Sequence, residues 1–244
     1  MSAVHTETIH INFDEHTSKS HLACPADQET PRPGVLVIPE FWGLTDYIKS
    51  RANALAELGY SALAVDIYGE GWTANTAEEA TNAMNRLFAD MEKTSERMRS
   101  YLNTLKNLKQ TDETKTASIG YCLGGALSLH LARLGADVTG VVSFHGDLDP
   151  QTAIQAGQVK AKILVCHGEA DAFILEEKVK SFKKEMEDAG VDYQFIGYPN
   201  AHHGFTNPKA TENGKKFDIP TAYDEKADQS SWEEMQKFFH GIFN

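Results

Sequence analysis

The sequence predicts an α/β protein, with a mostly parallel twisted sheet and helices on both faces. Three observations predict it. Short apolar runs, "VLVI", "SALAV", "ASIGY", "GVVSF" and "KILVC", recur along the 244 residues. Stretches of helical period separate them. The runs are continuous rather than alternating, as strands buried on both faces should be. Strand followed by helix followed by strand is the pattern of parallel strands joined by crossover helices.

The elements follow in order. "HTETIHINF" alternates loosely and is expected as an edge strand, with "KSHLACP" its hairpin partner. "PGVLVIPEF" is a buried strand after Pro33, and "DYIKSRANALAELGY" an amphipathic helix ending at Gly59. "SALAVDIYG" is another buried strand. The long stretch from "TAEEATNAM" to "LNTLKNL" is expected as two helices broken near Lys93. "KTASIGY" is a strand and "CLGGALSLHLARLG" a helix. "VTGVVSFHG" is a strand, with a weak helix expected around Thr152 to Ala156. "AKILVCHG" is a strand, "EEKVKSFKKEMEDAG" a helix, "DYQFIGYP" a strand and "DEKADQSSWEEMQKFFHGIF" a terminal helix.

Length and composition bound the rest. One domain over residues 1–244 is expected, and a core of that size needs no staples. Apolar content of 41% and charged content of 24% are those of a soluble globular protein. No run of 18 apolar residues exists, so no membrane span is expected. The N-terminus has no apolar core, so no secretory signal is expected and the setting is read as cytoplasmic. A net charge of −12 argues against nucleic acid as a partner, because phosphate binding needs a basic face. Cys24, Cys122 and Cys166 are odd in number and far apart. That argues for a reducing compartment and against both disulfides and a structural zinc. The oligomeric expectation is a monomer or a homodimer.

Sheets of this kind place their sites at the carboxyl ends of the strands. Gly120-Tyr121-Cys122-Leu123-Gly124-Gly125 falls there, between a strand and a helix. It has the shape of a nucleophile elbow with a thiol in place of the usual serine. The turn is so tight that side chains two before and two after would clash, hence Gly120 and Gly124. Gly125 lets the helix approach the sheet. The helix N-terminus favours a thiolate and can hold an oxyanion. Cys166, inside "ILVCHG", reads as core, and Cys24 as a structural residue of the first hairpin.

A thiol nucleophile needs a base, and the base an orienter. The chain order expected for such an elbow is nucleophile, acid, histidine. Asp171 in "EADAF" follows the strand "AKILVCHG", and His203 in "NAHHGF" follows the strand after it, "DYQFIGYP". Glu169 competes with Asp171, and His202 with His203. Asp171 is preferred for its longer offset from the strand. His203 is preferred because Gly204 and Phe205 follow it and leave room for the ring.

"GYCLGG", "HGEADAF" and "HHGF" together resemble the dienelactone hydrolase family, an α/β-hydrolase branch with a Cys-His-Asp triad. The likeness runs over nearly the whole chain and includes "VLVIPEFWGL", "AVDIYG" and "SSWEEMQKFF". It implies an α/β-hydrolase fold and hydrolysis of small esters or lactones, with no cofactor and no metal. It implies that Glu40 sits near the thiol and governs its protonation. It also implies that the backbone N–H groups of Phe41 and Leu123 hold the oxyanion.

The chain departs from the family's pattern at the arginines that grip a substrate carboxylate. "HHGFTNPKAT" offers Lys209 and no arginine, and near "GWTANTAEEATNAMNR" there is only Arg86. A neutral, partly aromatic ester or lactone is therefore expected, in a pocket with Trp42, Tyr68, Trp72, His145 and Phe205. A side activity on neutral phosphotriesters is expected from the same oxyanion donors. A thiol redox sensor or a non-catalytic ligand binder on the same fold is the competing reading. It gives no reason for Asp171 and His203 to follow Cys122 in order.

Overall fold

The structure is a computed structural model that describes residues 3–13, 16–27 and 30–244. The chain divides into two compact units, Met1–Ile119 and Gly120–Asn244. Beyond an opening antiparallel hairpin, strands mostly alternate with helices and pair mostly in parallel, an α/β fold.

In the first unit, β1 (Val4–Asn12) and β2 (Thr17–Pro25) form the antiparallel hairpin expected at the start of the chain. β2 continues antiparallel to β4 (Ser61–Ala64), and β4 lies parallel to β3 (Arg32–Ile38). The apolar runs become strands buried along their length: Val35 to Ile38 and Ala62 to Ala64 are all fully buried. β4 is shorter than the sequence suggests. The chain beyond it is held as a loop by Asp66, whose carboxylate accepts the N–H groups of Lys19, Gly69 and Gly71.

α1 (Asp46–Glu57) crosses from β3 to β4. α2 (Ala77–Ala89) and α3 (Met91–Asn107) are the two expected helices, but the break falls at Asp90 rather than near Lys93. The cause is a cap: Asp90 Oδ1 accepts the Lys93 N–H at 3.0 Å. α3 buries Thr94, Met98, Tyr101, Leu102 and Leu105, a stripe of helical period. β5 (Thr111–Tyr121) leads out of the first unit into the second.

In the second unit, β6 (Gly140–Phe144), β7 (Lys162–Gly168) and β8 (Tyr193–Tyr198) are parallel neighbours in chain order. Successive residues of a strand face opposite sides of the sheet. On β6, a Cβ at Gly140 would run into Phe238 and Ile242 of α7 (Glu225–Phe243). Ser143, on the other side, meets Gly125 of α4 (Leu123–Arg133), where an added Cβ would lie 2.6 Å from its hydroxyl oxygen. The two helices thus cover opposite faces. α4 is buried along its whole length. At its end Arg133 is buried in a two-pronged bond to Glu185 of α5 (Glu176–Asp188), at 3.0 and 2.6 Å.

Two expectations differ here. Residues 152–156 run from a bend through irregular chain into the start of a turn and form no helix. The run is short, lies between Pro150 and Gly157, and Gly157 turns the chain at φ 77°. A helix the sequence did not predict, α6 (Ala210–Phe217), follows the His203 loop. It is short and mostly polar, with Gly214 inside, so it carries little periodic signal. No helix among the described residues is long and apolar enough to cross a membrane.

Candidate active site

The turn around Cys122 is made by geometry rather than by side-chain bonds. β5 ends at Tyr121 and α4 begins at Leu123. Cys122, between them, holds φ 54° and ψ −115°. Such a backbone costs a non-glycine residue about 1–3 kcal/mol. A Cβ on Gly120 would overlap the Gly124 carbonyl, so no other residue fits there. Two acceptors share the Cys122 N–H: the Phe144 carbonyl at 3.0 Å and His145 Nδ1 at 3.1 Å. Since Nδ1 accepts, His145 is a neutral imidazole with its proton on Nε2. That proton goes to Thr206 Oγ1 at 2.7 Å.

His203 and Asp171 meet this turn from the loops after β8 and β7. His203 Nε2 lies 3.1 Å from Cys122 Sγ, and Nδ1–H donates to Asp171 Oδ2 at 2.7 Å. The other carboxylate oxygen of Asp171 accepts the Phe173 N–H at 2.8 Å. The Phe173 ring stands edge-on to the His203 imidazole, centroids 5.0 Å apart. Asp171 and His203 are buried, while Cys122 is partly open. The neighbours that competed for these roles lie elsewhere: His202 is exposed and Glu169 sits against Gly197.

Charge follows geometry. Burial alone would pull His203 down. The Cys122 sulfur and the Asp171 carboxylate overcome it and hold the imidazole well above the ordinary histidine value. Burial would push Asp171 up, but its bond to His203 and the attraction of that ring hold it below the usual carboxylate value. His167, at the end of β7, is held below the ordinary value by burial. The other two cysteines are buried. Burial pushes the Cys166 thiol up to about 12 and also raises Cys24, so neither is a ready thiolate.

Not every expected pocket residue offers a surface. Phe205 is wholly buried, packed on His145 and Tyr198. His145 is buried too, and its ring supports the elbow and stands edge-on to His203. Both were expected in the substrate pocket; their burial leaves neither as an open wall. Thr206 touches His145 and Phe173 touches His203, contacts that the sequence did not predict. Nothing in the sequence marks Thr206. Phe173 sits two residues after an aspartate, the spacing of an Asx turn.

The remaining expected residues belong to the first unit. Glu40 is buried just past β3. The Phe41 and Trp42 rings pack tilted by 59°, centroids 4.6 Å apart, and the Phe41 carbonyl accepts the Tyr68 hydroxyl at 2.9 Å. Trp42 is nearly buried. Tyr68 and Trp72 meet edge-to-face at 5.3 Å and wall a cavity of about 460 Å³. Arg86, Lys93 and Arg97 line the same cavity. Of these three, the sequence pointed only to Arg86. The signal for the other pair was their spacing, since residues four apart share one helix face.

Known proteins carry the same architecture. A dienelactone hydrolase-like promiscuous phosphotriesterase from metagenomic libraries superposes with a TM-score of 0.93. It is 35% identical, and 99% of each chain is covered. Protein usf of Aquifex pyrophilus is 31% identical over 212 residues, 85% of this chain and 87% of that protein. A putative carboxymethylenebutenolidase of Saccharolobus solfataricus is 26% identical over 96% of this chain and 98% of its own. Residues 19–243 match the family model described as "Dienelactone hydrolase family", a span that includes the elbow, the acid loop and the histidine loop. The chain therefore belongs to the dienelactone hydrolase family.

Proposed function

We propose that the protein hydrolyses small neutral esters or lactones through a Cys122 acyl-enzyme. The observation that carries the reading is the unbroken chain from Cys122 Sγ through His203 to Asp171, at 3.1 and 2.7 Å. Sγ, whose proton His203 Nε2 has already taken, bonds to the carbonyl carbon. The N–H groups of Leu123 and Phe41 hold the oxyanion. Collapse expels the alcohol, which takes the proton from His203. A water then gives a proton to His203 and attacks the thioester carbon, and Cys122 leaves as its thiol. Asp171 keeps the ring oriented throughout. No step needs a metal or a cofactor. More than one equivalent of p-nitrophenol released from a short-chain ester tests the reading; a thiol sensor stops at one.

Glu40 is proposed to govern the protonation of the thiol. Glu40→Gln is expected to change how fast iodoacetamide alkylates Cys122 at each pH. A superimposable alkylation profile removes Glu40 from the mechanism.

The same site is proposed to turn over neutral activated phosphotriesters. Similarity to a promiscuous phosphotriesterase, at 35% identity over nearly the whole chain, supports this. Sγ displaces the aryloxide from phosphorus and forms a phosphorus–sulfur bond. Water then attacks phosphorus and the thiolate leaves, a better leaving group than a serine alkoxide. With paraoxon and no added metal, nitrophenol is expected to exceed one equivalent per enzyme, and EDTA is expected to leave the rate intact. A single burst followed by permanent loss of esterase activity sinks this part.

A further inference from the structure

Three large apolar side chains stand exposed among the described residues: Leu58, Phe173 and Leu175. Leu58 is a lone leucine at the end of α1, an ordinary feature of a protein surface. The other two lie together in the loop from β7 to α5, two and four residues past Asp171. Ile174 between them is buried and anchors the loop, so its two neighbours turn outward. Phe173 is 46% exposed and Leu175 59%. Apolar surface left open beside a catalytic group marks a place a ligand covers.

Phe173 is not loosely placed. Its N–H is bound by Asp171 Oδ1 at 2.8 Å, while the other oxygen of that carboxylate holds His203. Its ring meets the His203 imidazole at 5.0 Å with the planes 79° apart. The ring is therefore fixed to the group that handles the proton. In ester cleavage that proton goes to the departing oxygen, so the leaving group lies over His203. A side chain packed on the same imidazole meets the alcohol portion of the ester rather than its acyl portion.

We propose that Phe173, with Leu175 beyond it, is the specificity-determining contact for the leaving group, and that it selects esters of bulky apolar, above all aryl-bearing, alcohols. The inference rests on the hydrolytic reading above. An aromatic ring offers a second ring edge-to-face or offset contact as well as apolar area. Phe173 touches substrate and leaves the bonds among Cys122, His203 and Asp171 to those residues.

The test compares benzyl acetate with methyl acetate, whose alcohols are of similar acidity, so that shape rather than leaving-group reactivity is varied. Wild-type protein is expected to favour the benzyl ester. In Phe173→Ala the benzyl-to-methyl ratio of kcat/KM is expected to fall about tenfold, mostly through KM, the scale of one lost apolar contact. Phe173→Leu is expected to recover part of it. The preference among methyl esters of increasing acyl length is expected to stay as it was. A benzyl-to-methyl ratio unchanged in Phe173→Ala overturns the proposal. So does a uniform loss on every ester, which would make Phe173 a support for the triad. A change to a smaller species on gel filtration in Phe173→Ala or Leu175→Ser would show an interface between copies, and also overturns it.

Alkylation reads the same subsite without turnover. N-benzyliodoacetamide is expected to outpace iodoacetamide at wild-type Cys122 and to lose that lead in Phe173→Ala. A lead kept by a protein that cleaves no ester would defeat the hydrolase reading and support the subsite. No lead in the wild type defeats the subsite alone.

Discussion

Cys122→Ala is expected to lower kcat for p-nitrophenyl acetate by more than about a thousandfold, since loss of a triad nucleophile removes the covalent route altogether. The protein is expected to stay folded. Cys122 sits at φ 54°, and alanine there carries the same backbone strain as cysteine. Only one sulfur is lost, at a partly open position, so little buried contact goes with it. The turn itself is held by the Cys122 N–H, which bonds to Phe144 and His145 and survives the change. Far-ultraviolet circular dichroism and a melting curve check the fold, and steady-state release of nitrophenol checks the rate. A folded variant that keeps more than about a thousandth of the rate would falsify the nucleophile. Cys166 offers no alternative thiol, since it is wholly buried with its thiol pushed up to about 12.

The sequence made the elbow readable because its constraint is local. Gly120 is dictated by an overlap with Gly124 four residues on, and Gly125 by the approach of α4 to Ser143. Chain order then located the partners: α4, β6 and β7 separate Cys122 from the Asp171 loop, and α5 and β8 separate that loop from His203. The continuous apolar runs marked the strands for the same reason: a strand buried on both faces has no polar side to show. What stayed hidden depends on contacts between distant residues. The break before α3 was set by an aspartate cap, a one-residue choice within a long helical pattern. His145 looked like a pocket residue after a strand, but its ring faces the backbone of Cys122 on one side and Thr206 on the other. Phe205 looked like an aromatic wall and is core. Phe173 was marked only by its spacing after Asp171. The role proposed for it rests on its exposure and on the ring it touches, and neither is written in one dimension.

His203→Ala is expected to cost about a thousandfold or more in kcat, whereas His202→Ala should stay within a few-fold of wild type. The two imidazoles are adjacent in sequence and opposite in setting. His203 is buried with both ring nitrogens engaged, by Cys122 and by Asp171. His202 points to solvent. The pH dependence of stability gives a second reading of the same residue. His203 is held above its unfolded value of roughly 6.5, against the pull of burial, by Cys122 and Asp171. A group raised on folding contributes stability that is complete below the unfolded value and is lost as pH rises through the folded one. The gap in Tm between wild type and His203→Ala is therefore expected to be widest at mildly acidic pH and to narrow as pH rises. It does not close entirely, because a neutral His203 still donates Nδ1–H to Asp171. Equal kinetic losses in the two variants, or a Tm gap that grows with pH, would mean that the imidazole beside the thiol is not the one that carries the proton.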